Sequence, residues 1–371
     1  MRHPDITRRS SIFLLPLLLV ASRSPAAPPE GGESLRWRDV LELGVEGKGW
    51  ADTKGPFDRL PARAEGIVRP PAWDLSRHSA GMNIRFVTDA PRISVRWTLT
   101  SERLAMPHMP ATGVSGVDLY VRRDGHPHFL AVGQPARHPT NTVELVRGLE
   151  PKEAEYRLYL PLYNGVTRVE IGVPEDASFR PAPPSGPKAR PVVVYGTSIT
   201  QGGCASRPGM AYPAILGRRL DVPVINLGFS GTGKTEPEMA RLLAELDPAA
   251  YILDSLPNLT TAEVGERLPG FIETLRARHP EVPILLVENL IYTDAPFVAA
   301  RAQRVDGSND LLRKIHAERV ARGDRRITLV PALGLIGSDG EGTVDGVHPN
   351  DLGFLRMADA IEPYLRKAIA P

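Results

Sequence analysis

The apolar residues of this chain change period once, and that change dictates two kinds of architecture. From about Trp37 to Val173 they alternate, in runs such as Met82, Ile84 and Phe86, then Ile93, Val95, Trp97 and Leu99, then Val117, Leu119 and Val121, with Leu158 and Leu160, and Val169, Ile171 and Val173 further on. Period two over short runs places one face of each run in a core. Turn signals at 89–91, 123–125 and 163–165 separate the runs, with hardly any helical periodicity between them. An all-β sandwich or jelly roll is expected over 28–174. The segment 175–190 is rich in proline, lacks a sustained apolar pattern and reads as a semi-rigid linker. Beyond it, over 191–371, continuous apolar runs at 192–195, 222–227, 250–254, 282–288 and 327–330 alternate with amphipathic stretches at 237–246 and 261–278. Continuous runs mean strands buried on both faces, which predicts a three-layer α/β/α domain around a five-stranded parallel sheet.

At 371 residues, 42% hydrophobic and 24% charged, the chain has the composition of a soluble globular protein of about two domains. Its formal net charge is +2, and no basic cluster interleaved with aromatics speaks for nucleic acid. The single cysteine, Cys204, excludes an intrachain disulfide and a multi-cysteine metal site, and reads as a small packed thiol. Residues 1–27 read as an export signal. Arg2, Arg8 and Arg9 precede an apolar stretch at 12–20, followed by small residues at Ala26 and Ala27. The stretch is shorter than the roughly 20 residues of a spanning helix. The Arg8-Arg9 pair allows a twin-arginine route and the general secretory route equally. A periplasmic or extracellular location is expected, without stable membrane insertion.

Two short segments about 150 residues apart carry the chemistry. In the first, Gly196-Thr197-Ser198-Ile199-Thr200 closes an apolar strand, and its serine stands at the carboxyl edge, where α/β sheets collect their ligands. In the second, Asp345-Gly346-Val347-His348-Pro349, a carboxylate precedes an imidazole by three positions, so one loop can hold Asp345 on one ring nitrogen while the other faces Ser198. A serine hydroxyl needs such a base. Taken singly each residue has a plainer reading: Ser198 or Thr200 as a helix N-cap, Asn258 and Asp345 as turn residues, Gly228 as a tight loop, His348 as the opening of a helix near 350–369. Their occurrence at successive strand ends favours catalysis.

These segments, with Asn226-Leu227-Gly228-Phe229-Ser230-Gly231 and Pro257-Asn258, resemble in their order the four sequence blocks of the SGNH (GDSL-type) hydrolases, over residues 190 to 371. The run Gly116-Val117-Asp118-Leu119-Tyr120 resembles the Gly-x-Asp-Leu-Tyr segment of a β-domain that precedes some of these esterases. The resemblance implies a flavodoxin-like hydrolase fold, with Ser198 as nucleophile, His348 as base and Asp345 as the acid that orients it. It also implies an oxyanion hole from the amides of Ser198 and Gly228 and the side chain of Asn258. No cofactor and no metal is implied. The sequence departs from the family where Thr197 replaces an aspartate and Leu256 a glycine. The expectation is an exported serine esterase cleaving a small acyl ester, and the resemblance to carbohydrate esterases implies acetyl groups on a glycan.

Alternatives stay open at this level: a lipid or platelet-activating-factor-like acylhydrolase, a non-catalytic carbohydrate-binding protein, or a nucleotide binder. The last rests on 228–235, a full match to the phosphate-binding Gly-x4-Gly-Lys-Thr pattern, with Lys234 as its cation and Asp254 ending the next strand. An exported protein meets little ATP, and Gly228 already belongs to the hydrolase pattern. His108, His126, His128 and His138 read as surface or packing residues, because the His-x-His pair has no recognisable third ligand. Of Trp37, Trp50, Trp73 and Trp97, which could stack on sugars, Trp97 is in phase with a core strand. Tyr292 and Asp294 fall near the edge of the expected site as loop residues.

Overall fold

Alternation in the first half becomes two antiparallel sheets. In the computed structural model, which describes residues 34–184 and 190–370, the strands are β1 (Leu35–Asp39), β2 (Asn83–Thr88), β3 (Arg92–Leu99), β4 (Val117–Arg123), β5 (His126–Gly133), β6 (Thr140–Arg147), β7 (Ala154–Tyr159), β8 (Val166–Pro174) and β9 (Phe179–Pro181). They run in the orders β1-β8-β3-β6 and β5-β4-β7-β2-β9. Inward residues of both sheets, among them Ile84, Phe86, Val95, Trp97, Leu119, Leu158 and Ile171, share one core. The expected export segment and residues 185–189 of the expected linker lie outside the described residues.

Two expectations need correction here. Strand β9 lies inside the stretch read as linker: it pairs with β2, Phe86 opposite Pro181 and Thr88 opposite Phe179, and Phe179 packs on Phe86 with ring centroids 5.3 Å apart. Proline is tolerated because β9 is an edge strand, where a missing N–H breaks no inner ladder. The sandwich half also contains two short helices, α1 (Pro70–Ser76) and α2 (Ala111–Val114). Neither is long enough to display a helical period, and α1 starts on the Pro70-Pro71 pair suited to a first turn.

The second half is a parallel sheet of β10 (Val192–Gly196), β11 (Val224–Gly228), β12 (Ala250–Asp254), β13 (Ile284–Val287) and β14 (Ile327–Val330), in the order β11-β10-β12-β13-β14. Around it stand α3 (Ser198–Gln201), α4 (Tyr212–Leu220), α5 (Pro237–Leu243), α6 (Thr261–Arg278), α7 (Ala299–Ala321) and α8 (Asp351–Ile369). Successive residues of β10 feed opposite layers. Val193 and Tyr195 join a core with α5 and α6, whereas Val192 and Val194 join one with α4 and α8. Burial on both faces explains the unbroken apolar runs.

The Gly-Val-Asp-Leu-Tyr run occupies β4 and joins the two halves. Leu119 points into the sandwich core, while Asp118 and Tyr120, on the opposite face, meet the segment that follows the Ser198 turn. Fully buried Asp118 takes a hydrogen bond from Arg207 Nη1 at 2.8 Å and one from the Gly209 N–H at 3.0 Å, and the Arg218 guanidinium lies 4.1 Å over the Tyr120 ring. Burial pushes the Asp118 carboxyl above its ordinary value, and the Arg207 charge pulls against that shift. Removing one member of such a pair leaves the other uncompensated, typically at about 3–5 kcal/mol. Asp118→Ala is therefore expected to lose that much stability in urea unfolding, and Asp118→Asn, which keeps an acceptor for Gly209, distinctly less; equal losses would show that the charge pair contributes nothing.

Candidate active site

Strand β10 ends in a glycine because nothing larger fits. A Cβ on Gly196 would lie 2.1 Å from Thr200 Oγ1 and 2.4 Å from the Asp254 carbonyl oxygen. Thr197 then caps α3, its hydroxyl accepting the Ile199 N–H at 3.2 Å. The cap role that the sequence left open to Ser198 or Thr200 thus falls to Thr197, and the Ser198 hydroxyl is released. Ser198 Oγ stands 2.8 Å from His348 Nε2, and His348 Nδ1 stands 2.7 Å from Asp345 Oδ2. The other carboxylate oxygen accepts the N–H groups of Val347 at 3.0 Å and His348 at 2.8 Å. Burial alone would raise the Asp345 carboxyl, but the hydrogen bonds from His348 and Val347 hold it below its ordinary range. The imidazole is thereby fixed between a hydroxyl and a carboxylate.

His348 does not open α8; Asn350 does, accepting the Gly353 N–H at 3.0 Å. The 343–348 loop is braced from behind, where the Thr293 N–H donates to the Gly346 carbonyl at 2.9 Å. Neighbouring Tyr292 is buried, and Asp294 pairs with Arg301 at 3.1 Å.

The three expected oxyanion donors are placed differently from one another. The Ser198 N–H opens a helix and has no intrahelical acceptor. Gly228 does not present its amide: the N–H donates to Asn226 Oδ1 at 2.9 Å. Its value is close approach, since a Cβ there would lie 2.1 Å from the Gln201 nitrogen. Asn258 follows the buried Leu256 on a single 3-10 turn, with Nδ2 at 3.4 Å from the Phe229 carbonyl and 3.3 Å from that of Gly233. These are long contacts that leave its amide weakly held beside the loop after β11.

Several residues that sequence reasoning missed hold this edge in place. Arg59 is fully buried with no carboxylate partner among the described residues; it donates to the carbonyls of Gly228 (2.6 Å), Leu75 (2.6 Å), His78 (3.0 Å) and Asn226 (3.3 Å) and lies 4.7 Å over the Phe229 ring. Burial pushes it down to about 9. Gln201 donates to the Leu162 carbonyl at 3.0 Å and accepts the Ser230 N–H at 3.1 Å, and Tyr163 donates to the Ser198 carbonyl at 3.2 Å. His78, pushed down to about 3 by burial and the Arg59 charge, is neutral beside Gln201. Only Gln201 had a sequence signal, its place in the Gly-Thr-Ser-Ile-Thr-Gln-Gly run.

The phosphate-loop pattern forms no cradle. Its amides are engaged internally, Thr232 and Gly233 to the Phe229 carbonyl, Lys234 to the Glu236 carboxylate and Thr235 to the Tyr195 hydroxyl. Lys234 Nζ lies 3.8 Å from Glu263. Asp254 is buried beneath α3, accepting from Thr200 Oγ1 and Tyr212 OH at 3.0 Å each. Cys204 is buried, its thiol pushed up to about 12 by burial and the Asp345 charge. His126 and His128 are exposed on β5. All four tryptophans are used in contacts within the fold: Trp97 in the sandwich core, Trp50 on Glu245, Trp73 under Arg77 and Trp37 under Arg96.

A hydroxyl, an imidazole and a carboxylate joined in series at the carboxyl edge of this sheet define an α/β/α protein with the constellation of a serine hydrolase. The sequence profile of the GDSL-like lipase/acylhydrolase family matches residues 189–366, and that of the GxDLY domain, the N-terminus of SGNH-hydrolase-type esterases, matches 35–179. A candidate GDSL-like lipase from Bacteroides ovatus is 36% identical, covering 91% of this chain and 98% of its own, with a TM-score of 0.85. The chain belongs to the SGNH, or GDSL-like, hydrolase family and is a carboxylic ester hydrolase. Two more distant structures share the fold. A salicylyl-acyltransferase from a tetracycline biosynthetic pathway is 18% identical, over 90% of this chain and 97% of its own, with a TM-score of 0.71. The acetyl xylan esterase Est2A of Butyrivibrio proteoclasticus is 15% identical, over 90% and 98%, with a TM-score of 0.54. A comparison with curated proteins gave no significant match.

Burial pushes the Asp254 carboxyl up to about 7, against the hydrogen bonds from Tyr212 and Thr200. A folded state that holds a proton the unfolded chain releases loses stability as pH rises between the unfolded and folded values. Asp254→Asn cannot ionise, so its stability relative to wild type is expected to rise between about pH 4 and pH 7. Urea unfolding at several pH values checks this, and a gap that does not change with pH would refute it.

Proposed function

We propose that this protein is an exported serine esterase that removes a short acyl group, acetyl foremost, from a carbohydrate hydroxyl through an acyl-enzyme. The observation that carries the reading is the 2.8 Å contact between Ser198 Oγ and His348 Nε2, with Asp345 on the far ring nitrogen. Ser198 attacks the ester carbonyl as His348 takes its proton. The same proton passes to the leaving alcohol, and a water, activated in turn by His348, releases the acid. The oxyanion falls to the Ser198 amide and to Asn258, each such donor being worth on the order of 100-fold in turnover. The basic, apolar and small-residue succession at 1–27 supports export, and the fold shared with an acetyl xylan esterase supports the substrate class.

One observation favours a second reading, an acylhydrolase for longer chains. Ile291, Phe297, Val298 and Val344 are exposed on the two loops that meet at Thr293 and Gly346. An acyl tail laid across them would gain about 25 cal/mol for each Å² of apolar surface covered.

Ser198→Ala and His348→Ala are each expected to leave well under a tenth of wild-type turnover with folding intact. Measured on p-nitrophenyl acetate, butyrate and octanoate, kcat/KM falls with chain length for the first reading; a rise selects the second. A reaction that needs a general base loses kcat/KM on acidification, and a profile flat to about pH 4 would exclude an imidazole in that role.

A further inference from the structure

The sandwich half also places an imidazole beside the one that serves Ser198. His108 lies on the connection between β3 and β4, and its ring centroid is 6.1 Å from that of His348, with the planes tilted by 41°. It sits in a tight turn closed by two backbone hydrogen bonds, Met106 N–H to the Met109 carbonyl and Met109 N–H to that of Met106, both 3.0 Å. Met109 is buried in the core on the α4 and α8 side of the parallel sheet, and Met106 packs against the same core. Just beyond, α2 is clamped to the segment after α3. Thr112 Oγ1 donates to the Ser206 carbonyl at 2.6 Å, and a Cβ on Gly113 would lie 2.1 Å from the Ala205 carbonyl oxygen. Ser206 in turn donates to Asp351, at the start of α8, with its N–H at 2.9 Å.

The base of the turn is therefore fixed on both sides, yet its tip is exposed. His108 has no hydrogen-bond partner among the described residues. The backbone that carries this exposed ring is already fixed, so a ligand that binds it forfeits little backbone entropy. At His348, Nδ1 is held by Asp345 and Nε2 by Ser198, and in the reaction the proton on Nε2 goes to the leaving alkoxide. The alcohol half of the ester must consequently lie against His348, with its next substituents within reach of a ring 6.1 Å away.

We propose that His108 is a specificity-determining residue that reads the alcohol half of the ester by hydrogen bonding a hydroxyl neighbouring the acylated one. A neutral imidazole carries one donor and one acceptor, which suits a hydroxyl and offers nothing to an alkyl group. The substrate class is then an ester of a polyol or sugar with a free hydroxyl next to the scissile bond. The inference rests on the serine-esterase reading and deepens it.

Glycerol 1-acetate and ethyl acetate carry the same acyl group and differ in the hydroxyls of the alcohol, so the ratio of their kcat/KM values isolates this contact. The ratio is expected to fall about 3- to 10-fold in His108→Ala, chiefly through KM, as one net hydrogen bond allows. His108→Gln, which keeps a donor and an acceptor, should recover part of it and His108→Phe none. An unchanged ratio in His108→Ala, or recovery by phenylalanine as well as glutamine, overturns the proposal. Ser198→Ala assayed alongside separates the two levels: turnover retained there removes the esterase reading itself, whereas a silent Ser198→Ala with an unchanged His108→Ala ratio removes only the role of His108.

Discussion

Close approach at the carboxyl ends of β10 and β11 is the constraint on which the active edge depends. Gly196 touches Thr200 and the Asp254 carbonyl, Gly228 touches Gln201, and neither position has room for a methyl group. Because these strands pair in register, Gly196 opposite both Gly228 and Asp254, any side chain at either glycine would push the Ser198 turn away from the loop after β11. The hydrogen-bonded series from Ser198 to Asp345 has distances of 2.8 and 2.7 Å, and a hydroxyl displaced by even an ångström leaves the reach of the base. Packing sets the chemistry here before electrostatics does.

The sandwich supplies the other half of that constraint. Arg59 crosses beneath the loop after β11 as a guanidinium with no ion-pair partner among the described residues, a costly group to bury. Carbonyl oxygens from 75, 78, 226 and 228 share its donors, so its hydrogen bonds go to backbone. The result ties the 75–78 segment of the sandwich side to the end of β11 through one side chain. Removing it would leave buried carbonyls unmatched at about 1–3 kcal/mol each, an effect of a different kind from losing the Asp118 to Arg207 pair, which is a charge imbalance.

What the sequence revealed follows from how local each signal is. Strands 192–196 and 250–254 and helix 261–278 were legible because burial on both faces, or on one helical stripe, is written in consecutive residues. The union of Asp345 and His348 was legible because three residues of one loop set it. The amide of Gly228 was misjudged because its acceptor, Asn226, competes for it two residues earlier, a matter of rotamer and not of pattern. The β9 strand hid under its prolines, and Ser198 was taken for a possible cap because Thr197 had no distinguishing mark. Arg59 and Tyr163 went unread, and His108 was read as a surface or packing residue, because the contacts that give them a role reach far along the chain, to Gly228, Ser198 and His348.

The seam between the halves carries Arg59, which holds the end of β11, Tyr163, which holds the Ser198 carbonyl, and Asp118, which holds the segment after α3. Catalytic geometry is thus a property of docking, not of the α/β/α layer alone. A chain cut between the halves would keep every residue of the series from Ser198 to Asp345 and still lose the scaffold that aligns it. Turnover therefore depends on the docked surface between the halves as much as on either core, and a change at the seam reaches Ser198 without altering any residue of the series.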